Sequence, residues 1–378
     1  MSAIAVRNLT KRYPGSNAGL FDCSLDIAHG EHLVVVGPSG AGKTTLIRLI
    51  AGLEECDSGT ISIGGRDVTR LPPNERGIAL VAQRPAVYPH WNVERNLASA
   101  VELRQRRWFG KSIAAHELAA RVHEAADLLG LTSRLDQRGD QLSGGDQQRV
   151  ALGRAWVSQA AVWLLDEPFA HLDPALKSSI RADLHLLRER SNATILEVTH
   201  DPGDALAFGR RVAALSAGRL DQLGPADELY ARPATRSVAA ALGWPAINFA
   251  DGVVLRVDGL PALQFGHGVT VPFPVASAAA RVGSGDAVSL GIRPEHIMPA
   301  IDGEMTPLGE WSVVRSVAHG PGWLTTISRP GLLWQAWLPS PPKGSVISLG
   351  VLPEKVLLFD GSGSRFWPVS GERGGETK

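Results

Sequence analysis

At 378 residues the chain exceeds one ordinary domain, and 38 basic against 38 acidic side chains leave it formally neutral, without the electrostatic footprint of a nucleic-acid binder. Two cysteines, Cys23 and Cys56, stand far apart in no metal-ligand or disulfide pattern, which suits a reducing compartment. No run approaches the roughly 20 apolar residues that span a bilayer, and residues 1–7 lack a basic-then-apolar export signal, so work at a membrane would need another chain to hold this one there.

Residues 3–36 alternate short β-like runs with turns at Pro14-Gly15 and His29-Gly30. Tyr13 precedes the next landmark; its ring could stack on a nucleobase or serve as a half-buried strand tyrosine. The apolar run Leu33-Val34-Val35-Val36 then meets Gly37-Pro38-Ser39-Gly40-Ala41-Gly42-Lys43-Thr44-Thr45, which continues into Leu46-Ile47-Arg48-Leu49-Ile50-Ala51-Gly52. This reads as buried strand, glycine-rich turn and amphipathic helix, the setting of a phosphate-binding loop. Glycines let several N–H groups turn toward one anion, and the helix N-terminus adds positive potential. Lys43 offers a cation to the β- and γ-phosphates, and Thr44 a hydroxyl to Mg²⁺. The pattern predicts binding of a nucleoside triphosphate.

Further on, Ser58-Gly59-Thr60-Ile61-Ser62-Ile63-Gly64-Gly65 reads as part of a hairpin, and Gly77-Ile78-Ala79-Leu80-Val81-Ala82 as a short buried strand ending at Gln83. A glutamine at such a strand end stands where open α/β sheets bind ligands, within reach of Mg²⁺ or an attacking water. Residues 93–132 are mostly helix formers ending at Leu128-Leu129-Gly130, and Arg104-Gln105-Arg106-Arg107-Trp108 reads as a solvated helix face. In Leu142-Ser143-Gly144-Gly145-Asp146-Gln147-Gln148-Arg149, Ser143 caps a helix with Asp146 in its first turn. The same Ser-Gly-Gly is an anion half-site; lacking a lysine, it would complete another chain's nucleotide pocket.

Residues 160–165 form an apolar run that ends in Asp166-Glu167-Pro168. Asp166 suits Mg²⁺, and Glu167 suits the polarising of a water for in-line attack. The last strand, Thr194-Ile195-Leu196-Glu197-Val198-Thr199, delivers His200, a donor for the γ-phosphate, and Asp201. Glu197 interrupts it without functional explanation.

Taken in order, these elements resemble the nucleotide-binding subunits of ABC transporters, from about residue 3 to residue 235. Gly37 to Thr45 resembles the Walker A motif, Gln83 the Q-loop, and Leu142 to Gln148 the signature motif. Asp166-Glu167 is similar to Walker B with its catalytic glutamate, Asp173 to the D-loop aspartate and His200 to the switch histidine. The resemblance places Tyr13 where the family stacks adenine. Leu71-Pro72-Pro73-Asn74-Glu75-Arg76-Gly77, Tyr88-Pro89-His90 and Val198-Thr199-His200-Asp201 resemble importer ATPases of the maltose and glycerol-phosphate type. Ala170-His171 departs from the family's usual serine and small or polar residue, which puts the D-loop contacts in question.

Residues 236–378 carry six of the ten tryptophans and short β-like runs separated by turns, as in a small barrel. Val288-Ser289-Leu290-Gly291-Ile292-Arg293-Pro294-Glu295-His296 echoes in Ile347-Ser348-Leu349-Gly350-Val351-Leu352-Pro353-Glu354-Lys355, as in a duplicated unit. Its first copy resembles the Gly-x-Arg-Pro-Glu segment of the OB-like regulatory (TOBE) tail of those importers, and the tail reads equally as a dimerisation or a ligand-sensing element.

The resemblance thus implies an α/β P-loop NTPase over residues 1–235, with a mixed sheet core and a helical subdomain about 90–158, followed by an all-β OB-like domain over 236–378. It implies an ATPase with Glu167, His200 and Gln83 in catalysis. ATP would be bound by Tyr13, residues 37–45, Ser143, Gly144, Gly145 and Asp173, and Mg²⁺ by Thr44, Gln83 and Asp166. Implied partners are a second ATPase subunit (the same chain or a paralogue), two transmembrane permeases and, indirectly, an extracytoplasmic solute-binding protein, with no nucleic acid. The implied place is the cytoplasmic face of the inner or plasma membrane. The cargo would be a sugar, polyol or glycerol phosphate ester; alternatives are a polyamine, metal or anion importer, or a non-transport ABC ATPase of DNA repair or translation.

Overall fold

The computed structural model describes residues 2–16, 18–105, 113–170, 172–257, 260–265, 269–272, 282–300 and 305–367. Two compact units divide the chain, Met1–Leu223 and Gly224–Lys378.

In the first unit, β1 (Ser2–Arg12) pairs antiparallel with β2 (Gly19–Ala28), and the wholly buried β3 (His32–Val36) leads through the glycine-rich turn into α1 (Lys43–Ala51). The hairpin β4 (Ser58–Ile63) and β5 (Arg66–Asp67) turns through Gly64 and Gly65, both left-handed, and completes a sheet of order β2-β1-β4-β5. After β6 (Ile78–Val81) come α2 (Val93–Gln105), α3 (Ala115–Leu128) and α4 (Gly144–Ser158). Gly153 lets α4 approach α2, for a Cβ there would lie 2.5 Å from Leu97. Next follow β7 (Val162–Asp166), α5 (Pro174–Arg190), β8 (Thr194–Thr199), α6 (Pro202–Phe208), β9 (Arg211–Ser216) and β10 (Arg219–Pro225).

The second sheet runs β10-β9-β3-β8-β7-β6, with the five strands from β9 to β6 parallel. Parallel strands covered on both faces need continuous apolar sequence, which Leu33–Val36 and residues 162–165 supply. At the end of the row β6 is half-covered: Val81 is buried but Leu80 is 39% exposed, so the expected buried strand is an edge strand instead. Leu46, Ile47, Leu49 and Ile50 of α1 join residues of both sheets in one core. Each such burial contributes about 1.5–3 kcal/mol, which fixes the helix directly behind the turn.

The second unit opens with α7 (Ala226–Ala231) and α8 (Arg236–Ala241). Its strands are β11 (Asn248–Val257), β12 (Leu260–Phe265), β13 (Val269–Pro272), β14 (Ala287–Ile292), β15 (Ile297–Pro299), β16 (Thr306–His319), β17 (Gly322–Arg329), β18 (Leu332–Leu338), β19 (Val346–Val351), β20 (Val356–Asp360) and β21 (Arg365–Trp367). They form two antiparallel sheets, β13-β12-β11-β14-β20-β21 and β15-β19-β16-β17-β18, around a core in which Trp311 and Trp334 stack 4.9 Å apart. The sequence echo is a structural exchange: the strand after each Pro-Glu turn pairs with the other copy's strand, β15 with β19 and β20 with β14. Arg293 has its own task. It is buried, donates to the carbonyls of Leu242 (2.7 Å) and Tyr230 (2.6 Å) and lies over the Tyr230 ring, whose hydroxyl bonds Glu295. It thereby anchors α7 and the end of α8 to the strands, and the second copy carries Leu352 at the matching position.

Candidate active site

Because β3, β8, β7 and β6 are parallel neighbours, their carboxyl ends lie side by side, and each delivers one part of the site: Gly37, His200, Asp166-Glu167 and Gln83. Residues far apart in sequence meet there without any loop having to reach across.

The turn after β3 is glycine-dependent at two points. A Cβ at Gly37 would lie 2.1 Å from the Leu215 carbonyl, and Gly42 sits at φ 100° with the Gly19 carbonyl 2.7 Å from its would-be Cβ. Pro38, Ser39 and Gly40 are exposed, and Ala41 closes the turn with an N–H to the Pro38 carbonyl (3.1 Å). α1 then starts with no side-chain cap and no acidic residue in its first turn, so its N-terminal N–H groups and dipole keep their positive potential. At its other end the buried Arg76 guanidinium donates to the carbonyls of Leu49 (2.7 Å), Ile50 (2.9 Å), Leu71 (2.8 Å) and Thr69 (3.0 Å). A cation at a helix C-terminus complements the dipole, so the Leu71–Gly77 stretch has a mechanical role in securing the phosphate-loop helix. The role of Arg76 was hidden in the sequence, since the carbonyls it bonds come from two separate segments.

Lys43 is buried, its Nζ donating to the carbonyls of Gly37 (2.7 Å) and Pro38 (3.0 Å). Burial pulls its pKa down, and the nearby carboxylates of Glu167 and Asp166 oppose that. Thr44 Oγ1 lies 3.4 Å from Asp166 Oδ1. The Asp166 carboxyl is pushed up by burial and then by the charge of Glu167, so a cation would favour its ionised form. Glu167 stands at φ 47°, a left-handed conformation costly for a residue with a side chain and one that clusters at functional sites. Its N–H donates to the Val198 carbonyl (2.9 Å), locking the turn to β8. Glu167 Oε2 accepts from Gln83 Nε2 (3.3 Å) and lies 3.0 Å from His200 Nδ1, so one carboxylate oxygen gathers the ends of three strands.

Tyr13 borders an open cleft of about 680 Å³ with Arg12, Ser16, Phe21 and Arg219. Its hydroxyl donates to Glu54, which also pairs with Arg48 (3.1 Å), and lies 3.4 Å from Thr45 Oγ1. Burial, then the Glu54 bond, raises the phenol's pKa. Glu54 and Phe21 were missed in the sequence, where neither lies in a recognisable motif.

Ser143 caps α4. Its Oγ donates to Asp146 Oδ2 (2.6 Å) and accepts from the Asp146 N–H (3.2 Å), while Arg134 Nη1 holds that carboxylate at 2.9 Å. Gly144 faces open space; a Cβ on Gly145 would meet the Leu176 side chain at 2.6 Å, so this element packs on the first turn of α5. Asp173 caps α5, accepting from the N–H groups of Ala175 (3.1 Å) and Leu176 (2.9 Å); His171 lies outside the described residues. Among the described residues no hydrogen bond or ion pair joins Ser143, Gly144, Gly145 or Asp173 directly to Lys43, Asp166, Glu167 or His200.

Hard oxygen donors suit Mg²⁺, and Thr44 and Asp166 present two converging ones with the Gln83 amide near Glu167 beside them. Among the described residues no cluster of three His, Cys, Asp or Glu side chains could hold a metal unaided, so phosphate or water oxygens would complete such a shell.

Residues 20–170 match the family described as ABC transporter, and residues 243–297 match the MalK OB fold domain. The chain is 40% identical over 370 residues to the sn-glycerol-3-phosphate import ATP-binding protein UgpC of Ruegeria pomeroyi, covering 95% of this chain and 97% of that one. It is 37% identical over 375 residues to the sulfoquinovosyl glycerol transport ATP-binding protein SmoE of Agrobacterium fabrum, covering 97% and 99%. Among solved structures, the dimeric post-hydrolysis state of the ATP-binding cassette MJ0796 bound to ADP and Pi is similar at a TM-score of 0.52 and 27% identity, covering 59% of this chain and 98% of that one.

Proposed function

This chain belongs to the ABC transporter family as the ATP-hydrolysing subunit of an importer, and from that premise we propose how its residues divide the work and what it helps to carry. The observation that carries the reading is the convergence of Gln83 and His200 on one oxygen of Glu167, beside the Thr44–Asp166 pair and the phosphate loop.

Lys43 and the N–H groups of residues 37–45 bind the triphosphate, and Tyr13 stacks on the base, its ring oriented by Glu54. Thr44, Asp166 and Gln83 would hold Mg²⁺, which when bound neutralises phosphate charge. Glu167 orients a water and accepts its proton during in-line attack, while His200 donates to the γ-phosphate. Ser143, Gly144, Gly145 and Asp173 serve the site of a second subunit, which returns the same groups by two-fold symmetry. Nucleotide then holds the two subunits together through donors from both, and loss of the γ-phosphate lets them part. The subunits work with membrane permeases, here proposed as two, which sense this motion near Gln83 at the cytoplasmic membrane face. Among the described residues no helix is long and apolar enough to cross a membrane. Residues 1–235 are proposed as the motor, with 90–158 as its helical part, and 236–378 as a regulatory domain.

For cargo we propose a glycerol derivative carrying an anionic group, the chemistry shared by the names of the two relatives. Transport assays with sn-glycerol 3-phosphate and sulfoquinovosyl glycerol in a reconstituted importer test this, and uptake of neither removes it. Glu167→Gln tests the site: hydrolysis should fall by about 10²–10⁴-fold while ATP binding persists and a sizing column shows an ATP-dependent dimer. A mutant that stays monomeric with ATP and turns over normally contradicts the split site.

A further inference from the structure

We infer that Asp204 is a positioning residue for His200, tying the turn that carries this histidine to the helix capped by Asp173 so that the two move as one piece. His200 itself offers no anchor, for its side chain is 53% exposed and its ring reaches out to Glu167. The residues on either side of it are held instead. Thr199 Oγ1 donates to Asp204 Oδ2 (2.9 Å) and accepts the Asp201 N–H (3.0 Å), and Asp201 Oδ1 caps α6 through the Gly203 N–H (2.7 Å). From the opposite side come two cations of α5. Lys177, whose N–H bonds the Asp173 carbonyl, bridges Asp201 and Asp204 with its ammonium, 3.2 Å from the latter. Arg181, one turn on, grips Asp204 Oδ1 through Nε (2.8 Å) and Nη2, with its guanidinium 5.9 Å from the Phe169 ring just after Glu167.

Two cations balance two carboxylates, so the network carries no unpaired charge although Asp204 is only 2% exposed. Charge-assisted bonds from one helix to Asp201 and Asp204, and through Asp204 to Thr199 on the other flank of the turn, make a stiff link. Any displacement of the Asp173 end of α5 therefore carries the His200 turn with it, which couples the contact proposed for the second subunit to the γ-phosphate contact in this one.

The inference rests on His200 acting at the γ-phosphate, and the two ideas fail separately. The experiment compares steady-state ATP hydrolysis, fluorescent-ATP binding and melting of the full chain with Asp204→Asn, Asp204→Glu, His200→Ala and the Asp204→Asn/His200→Ala pair. Asp204→Asn should lower kcat about tenfold while KM and nucleotide affinity stay within about twofold. Asp204→Glu should recover most of the rate. On the His200→Ala background, Asp204→Asn should change the residual rate by less than about twofold, because both act through one group. Full kcat in Asp204→Asn, or an undiminished tenfold loss on the His200→Ala background, overturns the inference. His200→Ala turning over normally removes the role of His200 instead. Should Asp204→Asn fail to fold, Lys177→Met leaves the Arg181 and Thr199 bonds in place; it should lower kcat about threefold with KM unchanged, and full kcat there also overturns it.

Discussion

The two halves of the proposed site differ in how far one chain completes them. Lys43, Thr44, Gln83, Asp166, Glu167 and His200 sit at the adjoining ends of parallel strands, and the last three of those ends meet on one oxygen of Glu167. Ser143 spends its hydroxyl on Asp146, Asp173 spends its carboxylate on the N–H groups of α5, and Gly144 faces open space. A parallel sheet gathers strand ends whatever their separation in sequence, so its edge can be assembled within one chain. A helix N-terminus only presents donors outward, and needs a facing surface to give them a use.

The hardest blow to the first half is Lys43→Ala, which removes its one buried cation. Nucleotide affinity in a fluorescent-ATP titration should fall by about a hundredfold or more, the worth of two charge-assisted bonds, and unchanged affinity would break the contrast. Next comes the packing beneath it. His32 on β3 and Glu197 on β8 form a fully buried pair, Nε2 to Oε2 2.9 Å, under the strands that deliver Gly37 and His200. His32→Leu should cost about 3–5 kcal/mol in denaturant unfolding by leaving a buried carboxylate unpaired, while adding Glu197→Leu should restore most of it. Burial raises the Glu197 pKa, so the native state holds its proton to higher pH than the unfolded chain does. The penalty is absent below the ordinary carboxylate value of about 4.3 and builds as pH rises from there to the raised one, so the fall in melting temperature of His32→Leu relative to the unsubstituted chain should be larger at about pH 8 than at about pH 4. An equal fall at both would show that the carboxylate finds another partner.

Against the second half the expected effects are smaller. Ser143→Ala removes a helix cap, about 1 kcal/mol of stability, and should weaken ATP-dependent dimerisation without changing the affinity of the isolated chain for nucleotide. Lost single-chain affinity would show that this element already belongs to the first half. The mildest change is Glu54→Leu, which frees the Tyr13 hydroxyl and should raise KM for ATP about threefold, the worth of one ordinary hydrogen bond. An unchanged KM would leave the ring's orientation to its neighbours in the cleft.

The phosphate loop was legible because its pattern is local: Gly42 takes a left-handed backbone, and the strand and helix around it announce themselves by periodicity, whereas the need for Gly37 comes from the distant Leu215 carbonyl. Asp166, Glu167, Gln83 and His200 were legible as strand ends. The edge position of β6 was not, since an apolar tetrapeptide reads the same at the middle or the margin of a sheet. Glu197 looked like an interruption because its partner lies 165 residues away on a neighbouring strand.

By itself, then, the sequence determined the order of strands, turns and helices and the chemical type of each site residue, because backbone preferences and side-chain chemistry act over a few neighbours. Which of those residues touch was decided only in three dimensions. Arg76 under α1, Asp204 between α5 and β8, and the exchange of β15 and β20 all depend on sheet order and register, which are set by burying apolar faces that no short stretch of chain can see.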